Sequence, residues 1–189
     1  MTEAGIGRVL VASLHQAIAD LLPNRLEFYE NWLNPQGLLH GTIGLAPLNA
    51  VLSFLRLEGD VYHEVTERAG RYAAEWTVAT QGHVSRAAVR ALPQPFRRRA
   101  VLRLARHMVH EAYVGSRALA KQRQGEWRLD VRGSIFCGVR TAADQPLCRF
   151  YAAAVSRFLE LYGLAGTAHP RECLATGHPS CIMAVTVDR

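Results

Sequence analysis

The chain has 189 residues, 49% of them apolar and 20% charged, with a net charge of +6. This is an ordinary globular composition, long enough for a single domain, 1–189, with a sizeable core. The charge excess comes without basic residues interleaved with exposed aromatics and without a recognisable reading module, which argues against nucleic acid as a partner.

Residues 7–22 carry Val9, Leu10, Leu14, Ile18 and Leu22 at helical spacing and end at Pro23. No basic leader with an apolar core and a cleavage site is visible here, so a cytoplasmic, reducing setting is expected, and metal ligation or burial of thiols rather than disulfides. Residues 31–55 contain no Asp, Glu, Lys or Arg, but Pro35, Gly37, Gly41, Gly44 and Pro47 make them a poor membrane span. They read as loops and a buried helix, or as one wall of an apolar pocket. Within them 47–57 reads as a helix, since proline is tolerated in a first turn. Asp60 reads as the N-cap of a longer helix through Tyr62, Val65, Ala69, Ala73 and Trp76, broken at Gly82. Ser85 is the expected cap of a short helix to Leu92. Pro93-Gln94-Pro95 then precedes an amphipathic helix, with Arg97, Arg98, Arg99, Arg103 and Arg106 on a solvated face opposite Val101, Leu102, Ala105, Met108 and Val109.

After Gly115 the pattern changes. Strands are expected over 116–122 and 127–138, around a turn at Gln124-Gly125. Pro146 opens a helix with Phe150, Ala154, Phe158 and Leu161 on its apolar side, stopped by Gly163. Two more strands follow, 165–175 and 180–188. Helices first, then strand, strand, helix, strand, strand, predict an α+β fold with N-terminal helices packed on a mostly antiparallel sheet. The helical part covers 1–114 and the α+β part 115–189.

The α+β part holds the chemistry. Cys148 lies at a helix start, where unpaired backbone N–H groups favour a thiolate. Cys173 and Cys181 bracket a Gly177-His178-Pro179 turn between strands. A hairpin with two cysteines set against a helix start presents three sulfurs to one ion, and zinc takes four ligands. His169, Glu172 and His178 are candidates for the fourth. The plain alternative is a set of buried free thiols. Cys137, in Ile135-Phe136-Cys137, reads as core rather than ligand.

These residues carry a resemblance. Arg132-Gly133-Ser134-Ile135-Phe136, Pro146-Leu147-Cys148 with its helix, and Glu172-Cys173 through Gly177-His178-Pro179-Ser180-Cys181 resemble the 4-vinyl reductase domain family. Its C-terminal pattern is roughly Pro-x-Cys, a helix, Glu-x-x-Cys-x-x-x-Gly-x-x-x-Cys and a final strand. Upstream, Glu67-Arg68-Ala69-Gly70-Arg71-Tyr72-Ala73-Ala74, Arg90-Ala91-Leu92-Pro93 and Gly115-Ser116 are similar to its bacteriochlorophyll-biosynthesis branch. The resemblance implies a fold shared with nitric-oxide-sensing haem domains and vesicle-tethering subunits, built around an apolar ligand pocket. It also implies a structural zinc on Cys148, Cys173, Cys181 and a glutamate, and a homodimer or partner protein. The glutamate position falls on Pro170, which cannot ligate, so His169, Glu172, His178 or water must replace it.

The functional expectation is a protein that binds a hydrophobic or planar ligand, either a tetrapyrrole intermediate or an aromatic compound. Its role would be accessory or carrier, in bacteriochlorophyll-type tetrapyrrole biosynthesis. The expected pocket residues are Trp32, Phe54, Tyr72, Trp76, His107 and His110. The two histidines, three apart on one helix, are candidate axial ligands to a tetrapyrrole metal, against a plain surface or core role. The alternatives are a stand-alone sensor or scaffolding domain for aromatic or lipid-like ligands, and a reductase of a divinyl tetrapyrrole. A reductase needs nicotinamide or flavin. No Gly-x-Gly-x-x-Gly follows a strand, and no catalytic residue is assigned.

Overall fold

The structure, a computed structural model, describes residues 5–33, 44–123 and 126–187. Residues 34–43 of the uncharged stretch and the expected Gln124-Gly125 turn lie outside them. Among the described residues six helices come first: α1 (Arg8–Leu21), α2 (Leu26–Leu33), α3 (Leu45–Leu57), α4 (Asp60–Ala79), α5 (His83–Ala91) and α6 (Gln94–Ala112). Then come β1 (Arg117–Arg123), β2 (Glu126–Arg132), α7 (Arg149–Leu161), β3 (Gly166–Glu172) and β4 (Cys181–Val187). The fold is α+β, with N-terminal helices and a four-stranded antiparallel sheet in the order β1-β2-β4-β3.

Local chemistry explains most element ends. Leu22 donates its N–H to Ile18 O at 2.7 Å, and Pro23 then ends α1. Asp60 sits in the first turn of α4, where a carboxylate complements the helix dipole, but the N-cap is Gly59. Likewise α5 starts before Ser85: Gly82 is its N-cap, and Gly82 O already accepts the N–H of Arg86 at 3.1 Å. The expected strand 127–138 is shorter, because Ile135–Cys137 curls into a 3-10 turn. The helix α2, which has no N-terminal capping signal, was not expected as a separate element.

The register sorts the sheet into two faces. Ala118 opposes Val131, Ala120 opposes Leu129, and Cys181 and Met183 lie beside Val131 and Leu129. Side chains alternate along a strand, so this is one face, and its members are buried or half-buried. Against it lie α6, packed on β1, and α7, packed on β3. One apolar cluster runs from α1 through α4 and α7 into β2 and β4. No helix among the described residues is long and apolar enough to cross a membrane.

The helix α4 is central and touches both α1 and α7. Its approach to α7 depends on Gly70, where an added Cβ would stand 2.2 Å from Phe150 O. Alanine is the better helix former by about 1 kcal/mol, so any loss in Gly70→Ala measures the clash. We expect a net destabilisation of about 1–3 kcal/mol in urea unfolding. A variant more stable than the parent would show that the two helices have room to part.

Candidate metal centre

Four segments that are distant in sequence deliver the four cysteines to one place. Cys137 ends the 3-10 turn after β2, and Cys148 is the N-cap of α7. Cys173 directly follows β3, and Cys181 opens β4. Between the last two, the turn Leu174–Thr176 and Gly177 at φ 90° reverse the chain. That left-handed conformation is one glycine adopts freely. His178 N–H donates to Cys173 O at 3.2 Å, which closes the loop.

The four sulfurs all lie within 4.8 Å of one another. Cys137 Sγ is 3.4 Å from both Cys173 Sγ and Cys181 Sγ. Four thiolates around zinc at about 2.3 Å stand about 3.8 Å apart in a tetrahedron, inside the observed spread. None of the four cysteines is more than 2% exposed. The donor set is all sulfur, which suits zinc and, next, iron, and excludes the hard cations magnesium and calcium.

The surroundings already favour thiolates. Leu174 N–H and the Ser134 hydroxyl donate to Cys181 Sγ and Cys137 Sγ, each at 3.4 Å. Contacts with Cys137, and then with Cys148, hold the Cys173 and Cys181 thiols below their ordinary range. Cys148 is pushed up by Cys137 first, then by Cys173 and Cys181, and by burial. For Cys137 the bond to Cys148 works downward, but Cys173, Cys181 and burial outweigh it. Charge on one of these neighbouring sulfurs raises the cost of charge on the next. A divalent ion would release the remaining protons.

Helices α3 and α4 hold the site from behind. The Tyr62 hydroxyl donates to Leu147 O at 3.2 Å and to Phe136 O at 3.4 Å. Each carbonyl belongs to the residue just before a cysteine. Arg56 donates to the same Phe136 O at 3.0 Å. Burial pushes the Tyr62 pKa up, so it stays a neutral donor. Phe136 stacks on Phe150 at 4.7 Å, which ties the Cys137 turn to α7.

The expected site residues fall as follows. Cys148, Cys173 and Cys181 come together. The fourth corner is Cys137, assigned from sequence to the core: it is core, and it is also in the cluster. His169, Glu172 and His178, the candidate fourth ligands, are outside the group. His169 and Glu172 lie on β3, opposite Ala184 and Ile182, and His178 is exposed. Pro170, at the resemblance's glutamate position, pairs with Met183.

The six expected pocket residues are divided among three places. Trp32 packs on Phe54 at 5.8 Å. Tyr72 stacks on Trp76 at 5.7 Å and donates its hydroxyl to Asp20. His107 and His110 are exposed on α6. Of the six, only His107 lines a cavity of about 350 Å³ between α1, α4 and α6. Leu10, Ala73, Met108, Ala112 and Phe150 supply its apolar wall. Thr77, Thr80 and Glu111 supply polar groups. A sequence signal for it existed in the small residues Gly7, Ala73 and Ala112, which leave room where helices meet.

No protein-family model matches the chain, and no curated protein sequence matches it. Among solved structures the chain is similar to an H-NOX protein from S. oneidensis, solved in the Fe(II)NO ligation state. The TM-score is 0.58 at 9% identity, covering 97% of this chain and 100% of that one. At that identity the likeness is one of fold.

Two substitutions separate ligation from support. Cys137→Ser is expected to lower metal content below one per chain by elemental analysis. It should also cost on the order of 4 kcal/mol or more, as loss of a structural metal does. A Cys137→Ser protein with full metal content would remove this residue from the site. Tyr62→Phe is expected to keep its metal while losing about 1–3 kcal/mol in thermal unfolding, because Leu147 O loses its donor and Phe136 O keeps only Arg56.

Proposed function

We propose that this chain is a small-molecule-binding domain whose α+β half is clamped by zinc on Cys137, Cys148, Cys173 and Cys181. The zinc is structural in this reading: four protein donors leave no open position for a substrate. It adds its binding free energy to folding. The 4-vinyl reductase domain motifs around Cys148, Cys173 and Cys181 support it.

The observation that carries the ligand-binding reading is the cavity between α1, α4 and α6. It is mostly apolar with a few converging polar groups, the usual make-up of a small-molecule site. The fold likeness to the H-NOX protein adds support. The size favours one ligand class. Small-molecule pockets run from roughly 300 to 1,000 Å³, so about 350 Å³ suits a single-ring aromatic compound better than a whole tetrapyrrole. His107 and Glu111 would orient such a ring through its polar substituent. A carrier role for a tetrapyrrole intermediate would need the helices to part.

Thermal-shift and calorimetric titration with phenol, benzoate and haemin tests this. Phenol or benzoate is expected to raise the melting temperature of the parent. Thr77→Phe, which fills the cavity from its half-buried rim, should abolish the shift. No shift in the parent, or an equal shift in Thr77→Phe, would overturn the proposal. A haemin Soret band that disappears in His107→Ala would select the tetrapyrrole ligand instead.

A further inference from the structure

We propose a second and separate site: the cleft between α6 and the free edge of β1 binds the polyphosphate chain of a nucleotide, with its base against Trp127. This stands apart from the ligand-binding reading above and does not rest on it.

The cleft has a volume of about 450 Å³ and is lined by Arg103, Arg106, His107, His110, Arg117 and Arg132, with Ala118 and Leu119. Among the described residues no carboxylate lines it. An adjoining cleft of about 220 Å³ shares Arg103 and Arg106 and adds Arg99 and Trp127. Among the described residues β1 pairs with β2 alone, so its other edge is free beside α6, which packs on β1. Along α6, Arg99, Arg103, Arg106 and His110 recur at steps of four, three and four. This places them on one stripe about 16 Å long at 1.5 Å per residue.

These cations are unspent. Elsewhere several arginines are matched, Arg71 with Glu160, Arg149 with Glu67, Arg157 with Glu75 and Arg171 with Glu126, while the other arginines without such a partner, such as Arg8, Arg123 and Arg140, lie outside this cleft. Among the described residues Arg99, Arg103, Arg106 and Arg117 take no hydrogen bond or ion pair. Arg132 has only Asp130, at 3.8 Å. Much of the chain's net charge of +6 is therefore gathered in one groove, where like charges repel one another until an anion arrives. A concave site lined by one sign of charge focuses its field on the opposite ligand.

The chemistry then selects the ligand. Guanidinium groups present paired N–H donors that fit phosphate oxygens. A row of them suits a linear chain of phosphates rather than one isolated anion. The row is short, so it suits a few phosphates rather than a long polymer. At its end stands a half-buried indole ring, and every nucleobase has a face that stacks on an aromatic side chain.

Isothermal titration of the metal-replete chain with ATP, GTP, inorganic tripolyphosphate and a short single-stranded oligonucleotide tests the proposal. ATP and GTP are expected to bind about equally, each about tenfold tighter than tripolyphosphate through the base, and all to weaken as salt rises. Arg106→Glu should weaken ATP at least about tenfold. Arg140→Glu, an equal charge change on an exposed residue outside the cleft, should leave ATP binding nearly unchanged. Trp127→Leu should bring ATP down to the tripolyphosphate level. Circular dichroism melts establish that each variant is folded, and the arginine pair carries the test alone if Trp127→Leu is not. Absence of binding would overturn the site. An equal loss in Arg140→Glu would reduce it to general charge. Equal affinity for tripolyphosphate and ATP would remove the base contact. Much tighter binding of the oligonucleotide would make the groove a nucleic-acid surface instead.

Discussion

Four buried sulfurs within 4.8 Å of one another are the constraint around which the second half of this chain is arranged. Each comes from a different segment, and each segment has little reason of its own to stop where it does. The Cys137 turn ends β2, Cys148 starts α7, Cys173 ends β3 and Cys181 starts β4. The cluster is thus the common end point of three strands and a helix. Polar groups bind it to the helical half: Tyr62 and Arg56 hold the peptide before Cys137, and Tyr62 also holds the peptide before Cys148. Four buried thiols packed this tightly cannot all ionise unaided, and a soft dication is the simplest group that would let them.

The helix α6 gives the molecule two kinds of surface. Met108 and Ala112 face inward to the apolar cavity, while Arg99, Arg103 and Arg106 face β1. His107 borders both spaces. Sequence periodicity captured this division into apolar and cationic sides. A solvated polar face was the natural reading of the arginines, because nothing in one helix reveals that a strand edge and an indole lie across from it.

What was legible followed from local physics. The helix α1 stopping at Pro23, α4 running through Ala73, α7 ending near Gly163 and the two C-terminal strands all follow from periodicity and turn chemistry. What was not legible depended on distance. Cys137 meets partners 36 and 44 residues away, and no spacing rule connects them. Ile135-Phe136-Cys137 is apolar enough for a strand, yet its contacts with Phe150 and Tyr151 draw it into a turn. Among the described residues the expected aromatics are apart for a simple reason: Trp32 packs with Phe54 and Tyr72 with Trp76, whereas the cavity beside His107 lies next to small side chains.

Phe150 belongs to both the cavity wall and the framework of the cysteine cluster. It is fixed from three directions: by the near-contact of its carbonyl with Gly70, by the stack with Phe136, and by its place two residues after Cys148. The opposite rim is held by main-chain bonds, Gly7 N–H to Ala112 O at 3.0 Å and Val114 N–H to Gly5 O at 3.3 Å, which form the bridge between Ile6 and Tyr113. The cavity and the cysteine cluster thus share Phe150, which lines the first and stacks on the residue before Cys137. A spectroscopic probe placed at the sulfurs would sense an occupant of the cavity through this one ring.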